Sequence, residues 1–370
     1  MKLKSIGFML LLISMVTLVK TENAKAQAGN SAVPFLLISP DARASGMGEV
    51  GTAIADDINA VYWNPGGLGF LDYFPSYNAY GEDEYIPYRQ VALSFSPWLP
   101  QFNADLFYSY GTYAQFFEEL DGTLAFNFVF MNLGEFTRTA ENGEVLGKFN
   151  SNEFAAGLSY GTIVARDLGL GINLRYIQSN LTPTGSANQD AGIGRSFAFD
   201  IGLLWKPIMP DIFGGNIDDR FNIGLNLKNV GPQITYINEA DPLPTSLRLG
   251  TAIKLFRDEF NELTFAADFA KLLVRRDEDG PDPVPISFVT AWENPGAEFS
   301  TGLEYWYQNV FAFRIGYFTE PAVIGNRQYY NFGAGVRYDI FNLDFSFINT
   351  VEENHPLANT MRFSLIVNWE

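Results

Sequence analysis

From about Tyr88 to the C-terminus, large apolar residues alternate with small or polar ones. Phe221, Ile223, Leu225 and Leu227 oppose Asn222, Gly224, Asn226 and Lys228. Phe341, Leu343, Phe345 and Phe347 likewise oppose Asn342, Asp344 and Ser346. A period of two puts the two sets on opposite faces of a strand. About fourteen such segments begin near 89, 103, 122, 152, 168, 196, 221, 246, 262, 299, 310, 329, 341 and 361. Each is about the 9 to 11 residues that a tilted transmembrane strand requires. Half-buried strands of a soluble sandwich alternate too, so the connections decide. Those after even-numbered segments are mostly short: Ala165–Asp167, Arg257–Phe260, Gln308–Asn309 and Asp339–Ile340. Those after odd-numbered segments are mostly long, near 137–150, 180–195, 230–245, 273–298, 319–328 and 350–360, with exceptions at 98–102 and 207–220. Short turns on one rim and long loops on the other predict an all-β chain over 86–370: a transmembrane antiparallel β-barrel of about 14 strands, long loops extracellular. Aromatic residues near segment ends, among them Trp98, Tyr160, Trp205, Tyr338 and Trp369, fit interfacial girdles.

Two stretches precede the barrel. Lys2 and Lys4, the apolar run Ile6 to Val19 and the A-x-A pattern Ala24-Lys25-Ala26 predict a signal peptide over 1–26. Its removal takes away four lysines and one glutamate and moves the formal charge from -18 to -21. Residues 27–85 are rich in Gly, Ala, Asp and Pro and lack sustained alternation. Gly46, Gly48 and Gly51 spell G-x-G-x-x-G, but the βαβ unit that a dinucleotide fingerprint needs does not follow. A short amphipathic helix is expected near Thr52 to Tyr62, stopped by Asn64 and Pro65.

Composition removes several functions. With no cysteine and only His355, the chain has no thiolate nucleophile, Cys-type zinc site or His-rich metal cluster. Its acidic balance opposes nucleic acid, whose phosphates are bound by Lys and Arg. His355 sits beside Glu352 and Glu353, yet a loop histidine without a placed serine is no triad. The run Asp277-Glu278-Asp279-Gly280-Pro281-Asp282 fails the EF-hand spacing and reads as a solvated loop tip. No metal, cofactor or catalytic residue is expected.

The residues carry a resemblance as well. SPDARASGMGEVG followed by YWNPGGL, with GLEYWYQNVFAFRIGYF at Gly302 to Phe318 and NFGAGVRY at Asn331 to Tyr338, resembles the PorV family of the Bacteroidota type IX secretion system. That family is related to the FadL fatty acid transporters, whose N-terminal part carries a similar NPAGL; here Gly66 stands where Ala is usual. The resemblance covers essentially the mature chain and extends to paralogues such as PorQ. It implies a FadL-like barrel in the outer membrane, in contact with its lipid, with an N-terminal hatch in the lumen. It further implies association with an SprA/Sov-type translocon, receipt of cargo bearing a conserved C-terminal domain, and delivery to a PorU-type sortase and attachment complex.

Inward parity collects charges of both signs: Asp105, Arg175, Asp200, Lys228, Arg248, Lys254, Asp268, Glu304, Arg314, Arg337, Asp344 and Arg362. Buried charges must pair, which suits a surface that grips a hatch; a fatty acid conduit would call for an apolar pocket. FadL-like uptake of hydrophobic small molecules is therefore the alternative function. The expected hatch and lumen packing residues are Asp41, Arg43, Gly46, Gly48, Asn64, Pro65, Arg314, Arg337 and Asp344, with Asp41 and Arg43 pairing to inward residues such as Arg314, Arg337 or Asp344. The plainer alternative is a capping Asp41 and a solvated Arg43.

Overall fold

The structure is a computed structural model and describes residues 31–77, 83–102, 104–140, 142–182, 192–207, 220–237, 239–277, 280–294 and 296–369. The expected signal peptide lies outside them.

Fourteen strands close into one antiparallel barrel. In chain order they are β1 (Arg89–Pro97), β2 (Phe107–Phe117), β3 (Gly122–Thr139), β4 (Val145–Ala165), β5 (Leu168–Thr182), β6 (Gly192–Trp205) and β7 (Phe221–Val230). They continue as β8 (Ser246–Arg257), β9 (Asn261–Leu272), β10 (Glu298–Tyr307), β11 (Phe311–Thr319), β12 (Gln328–Tyr338), β13 (Phe341–Thr350) and β14 (Met361–Asn368). Each pairs with its sequence neighbour, and β14 closes on β1 through Phe363↔Phe95 to Asn368↔Gln90. Closure leaves no open edge, the condition for a sheet to cross a membrane. The apolar parity points outward: Phe126, Leu174, Phe197, Phe313 and Leu343 are exposed, while Asn127, Asn173 and Arg314 are buried.

Two boundaries and one side chain differ from the sequence-based expectation. The loop expected at 137–150 is mostly sheet: β3 and β4 stay paired out to Thr139↔Val145 beyond a bulge after Asn132, with Phe136 stacked on Phe149 at 5.8 Å. The extension shows no alternation to read, because it stands clear of the apolar belt with both faces exposed. The connection after β1 runs to residue 106, which places Asp105 in a loop and not on the inner wall. Trp98 is partly buried against Val33, Phe35 and their neighbours, so it packs internally and adds nothing to a girdle.

Residues 31–71 thread the barrel from one rim to the other. At the long-loop rim Ala32 N donates to Pro242 O (2.9 Å), and Val33, Phe35 and Leu36 pack on Tyr108, Met131, Ile177 and Leu243. At the short-turn rim Thr123 Oγ1 donates to Leu71 O (2.5 Å), and Ile58, Leu68 and Leu71 pack on Ala92, Phe116 and Ile366. A hairpin of Tyr73–Tyr77 with Asp83–Pro87 then leads into β1. The helix expected over Thr52–Tyr62 is only α2, Ala60–Trp63, and an unexpected helix, α1, spans Ala42–Gly46. Both are short because tertiary partners, not a repeating apolar face, set this backbone.

Candidate functional site

The site is the interface between this segment and the inner wall. Its charged side begins at Arg43 on α1. Arg43 Nε and Nη2 donate to the two oxygens of Glu304 on β10, each at 2.9 Å. Glu304 Oε2 also accepts from Arg314 Nε on β11 (2.7 Å), and Arg314 Nη1 donates to Asp344 Oδ1 on β13 (2.6 Å). Within the segment, Arg43 Nη1 reaches Asp56 Oδ1 at 2.5 Å and Asp57 Oδ2 at 3.0 Å. The bidentate fork suits the planar guanidinium, and each buried charge finds a counter-charge.

Asp41 makes no ion pair with Arg314 or Arg337 among the described residues. Its Oδ1 caps α1 by accepting from Ala44 N (2.7 Å), and Oδ2 accepts from Trp63 Nε1 (2.6 Å), tying α1 to α2. The capping alternative thus describes Asp41, whereas Arg43 reaches the wall through Glu304. Arg337 lies over the Trp306 ring at 3.9 Å and donates to Asn309 Oδ1, without meeting the segment's charges directly.

Further anchors follow around the circumference. Asp268 on β9 accepts from Gly51 N (3.0 Å), Thr52 N (3.0 Å) and Thr52 Oγ1 (2.6 Å). On β14, Arg362 bonds Ser45 Oγ and pairs with Glu49 at 3.4 Å, while Ser364 Oγ accepts from Ala42 N at 2.8 Å. Asn222 and Asn226 on β7 donate to Ala53 O (3.1 Å) and Trp63 O (2.8 Å).

On the opposite side the wall's own charges pair with each other, Arg175 with Asp200 at 2.7 Å, and the segment is held there by backbone contact. Asn64 Nδ2 donates to Thr52 O (2.9 Å) and Leu203 O (2.8 Å), and its Oδ1 accepts from Gly66 N (3.1 Å), fixing the Asn64-Pro65-Gly66-Gly67-Leu68 turn. This turn lies directly on strand glycines. A Cβ at Gly171 or Gly202 would overlap Pro65, and one at Gly66 would meet Gly169 O and Gly202 O at 2.8 Å. The glycines are in register, Gly161↔Gly171 and Gly171↔Gly202. A belt of small residues continues through Gly224↔Gly250, Ala252↔Ala266 and Gly302↔Gly316. There the backbone of Met47 and Gly48 lies against Gly302 and Gly316, and a Cβ on Gly46 would meet Gly333 Cα at 2.9 Å. Gly48 has φ +79 and lies where a Cβ would meet Tyr317 N at 2.6 Å, so a side chain is excluded twice.

Sequence reasoning placed Glu304 and Asp268 on the inner wall without recognising them as anchors, and it missed the glycine belt. The belt's signal was available: glycine recurs at inward parity on β4, β5, β6, β7, β8, β10, β11 and β12. Beside the segment a closed cavity of about 10 Å³, lined by residues including Tyr62, Tyr108 and Arg175, has room for about one water. A larger open concavity of about 580 Å³ lies across β12, β13, β14, β1 and β2, lined largely by outward residues such as Leu93, Phe95, Val336 and Phe363. Among the described residues no group of three or more His, Cys, Asp or Glu could hold a metal. His355 Nδ1 accepts from Leu357 N at 3.1 Å, a turn contact within its own loop.

Solved barrels share the fold. The Pseudomonas putida toluene transporter TodX has 12% identity and a TM-score of 0.52, over 89% of this chain and 96% of that one. The monoaromatic hydrocarbon channel CymD has 12% identity and a TM-score of 0.51, over 90% of this chain and 96% of that one. At such identity the likeness is one of fold alone. No curated protein matches the chain. A family model described as type IX secretion system protein PorV matches residues 20–279, well over half the sequence. This chain, a closed fourteen-stranded outer-membrane barrel, therefore belongs to the PorV family of type IX secretion system proteins.

Proposed function

We propose that this barrel is a carrier and not a pore: residues 31–71 act as a hatch that stays seated, and cargo is handled at the long-loop rim. The observation that carries the reading is the girdle of anchors on the segment, from Glu304 through Arg362 and Asp268 to the glycines of β4–β6. A segment held at so many points around the wall would have to be torn out before a polypeptide could pass. In this reading the long-loop rim faces the cell surface, meets an SprA/Sov-type translocon, takes over cargo by its C-terminal domain and presents it to a PorU-type sortase and attachment complex. A tag at Gly280 should then be reached by antibody on intact cells. A deletion strain should retain cargo with its C-terminal signal uncut and grow normally on long-chain fatty acids.

The second reading is uptake of hydrophobic small molecules. The fold shared with the toluene transporter TodX supports it, whereas the concavity over β12–β2 opens on the lipid-facing wall and adds nothing to it. Normal secretion with lost uptake in the deletion strain would establish it in place of the carrier.

A further inference from the structure

The connection between β9 and β10 folds back over the outer wall and leaves the barrel mouth. Lys271 shows this. On β9 the outward set is Phe265, Ala267, Phe269 and Lys271, and pairing with β8 runs without a shift from Lys254 to Ser246. Yet Lys271 is buried, because its Nζ donates to Asn294 O (2.7 Å) and Gly296 O (2.8 Å) of the following connection. Those carbonyls must lie outside the barrel.

Just before them is a one-turn helix, Ser287–Thr290, whose sides are reversed from the usual arrangement. Its small residues face the protein, with Ser287 and Ala291 buried, while Ile286 and Val289 point away and Trp292, half-exposed, has its ring 5.9 Å from Lys271 Nζ; Val289 is 76% exposed. The segment is held in this pose. Arg275 pairs with Asp282 (3.5 Å) and Glu293 (3.4 Å), and Thr290 Oγ1 donates to Asp282 Oδ2 (2.6 Å). A large apolar face held outward by ion pairs needs an apolar neighbour.

Its position says which one. Phe269 and Phe299 are register partners, both exposed, and lie on the lipid-facing belt just below Lys271. The patch is thus the upward continuation of that belt, and it combines Trp292 with Lys271 and Arg275, residues suited to the headgroup boundary. We propose that Ile286, Val289 and Trp292 insert into the lipid interface as a lateral anchor, holding the longest surface loop flat on the membrane beside the barrel. Asp277 would then stand in water while the residues from Ile286 onward return to lipid.

The absence of cysteine makes the test clean. Val289→Cys and Ile286→Cys, each carrying a nitroxide, are placed with the full barrel in phosphatidylcholine nanodiscs, and collisions with oxygen and with a water-soluble nickel chelate are compared. Phe269→Cys serves as the lipid reference and Glu352→Cys as the aqueous one. Both loop sites should resemble Phe269→Cys, with an oxygen-to-nickel ratio several-fold above that of Glu352→Cys. Nickel access equal to that of Glu352→Cys would overturn the proposal. So would shielding from both reagents, which would mean that protein, such as a second copy of the chain, covers the patch.

Discussion

The segment lies on small residues around much of the wall, but only on one half of the barrel are ion pairs added to that contact. Against β9–β14 it meets carboxylates and guanidinium groups, in the chain Asp57–Arg43–Glu304–Arg314–Asp344. Against β4–β6 it meets bare backbone, the Asn64–Leu68 turn lying on Gly161, Gly171 and Gly202. The charged half gains specificity from directed bonds and is exposed to loss of any single partner. The glycine half gains closeness and is exposed to any added atom. A plug that must seat in one pose benefits from both, since shape alone permits sliding and charge alone permits tilting.

The largest effect is expected at Glu304. Glu304→Gln removes the charge shared by Arg43 and Arg314 and leaves Asp56, Asp57 and Asp344 as their remaining partners, at a cost of up to about 3 to 5 kcal/mol, the figure for a buried charge left wholly unpaired. Limited proteolysis should then cut within the segment while the barrel keeps its heat-modifiable migration. The double variant Arg43→Met/Glu304→Met should recover part of the loss, and a lack of recovery would show that the pair is not coupled.

On the glycine half, Gly171→Ala forces a methyl into Pro65, with rigid backbone on both sides. Overpacking of this kind costs about 1 to 3 kcal/mol. The distinguishing feature is salt: proteolytic release in Gly171→Ala should be indifferent to ionic strength, whereas any release caused at the partly exposed Arg43–Asp56 contact should vary with it. Equal salt dependence in both would erase the contrast between the halves.

Asp41→Ala removes the α1 cap and the Trp63 acceptor, and caps of this kind contribute about 0.5 to 2 kcal/mol. Trp63 fluorescence should shift while the strands keep their circular dichroism.

How much of this was legible depended on who imposes the pattern. Lipid outside and polar lumen inside force alternation on every strand, so Phe221–Val230 and Phe341–Thr350 could be read from the sequence within a residue or two. The extension of β3 and β4 past Asn132 could not, because outside the belt the lipid imposes nothing. The segment itself obeys no period. Thr52 is placed by Asp268, 216 positions away, and Arg43 by Glu304, 261 positions away, so its helices were misplaced. The strand glycines were visible but read as the small half of an alternation, since only the seated turn gives them a role.

The central claim is that the lumen is closed by a segment locked to its wall, and single-channel conductance in planar bilayers tests it most directly. The wild-type barrel should be nearly silent, and Glu304→Gln should open large, frequent conductance steps. A wild-type barrel that conducts steadily, or a Glu304→Gln barrel as silent as wild type, would contradict the locked hatch.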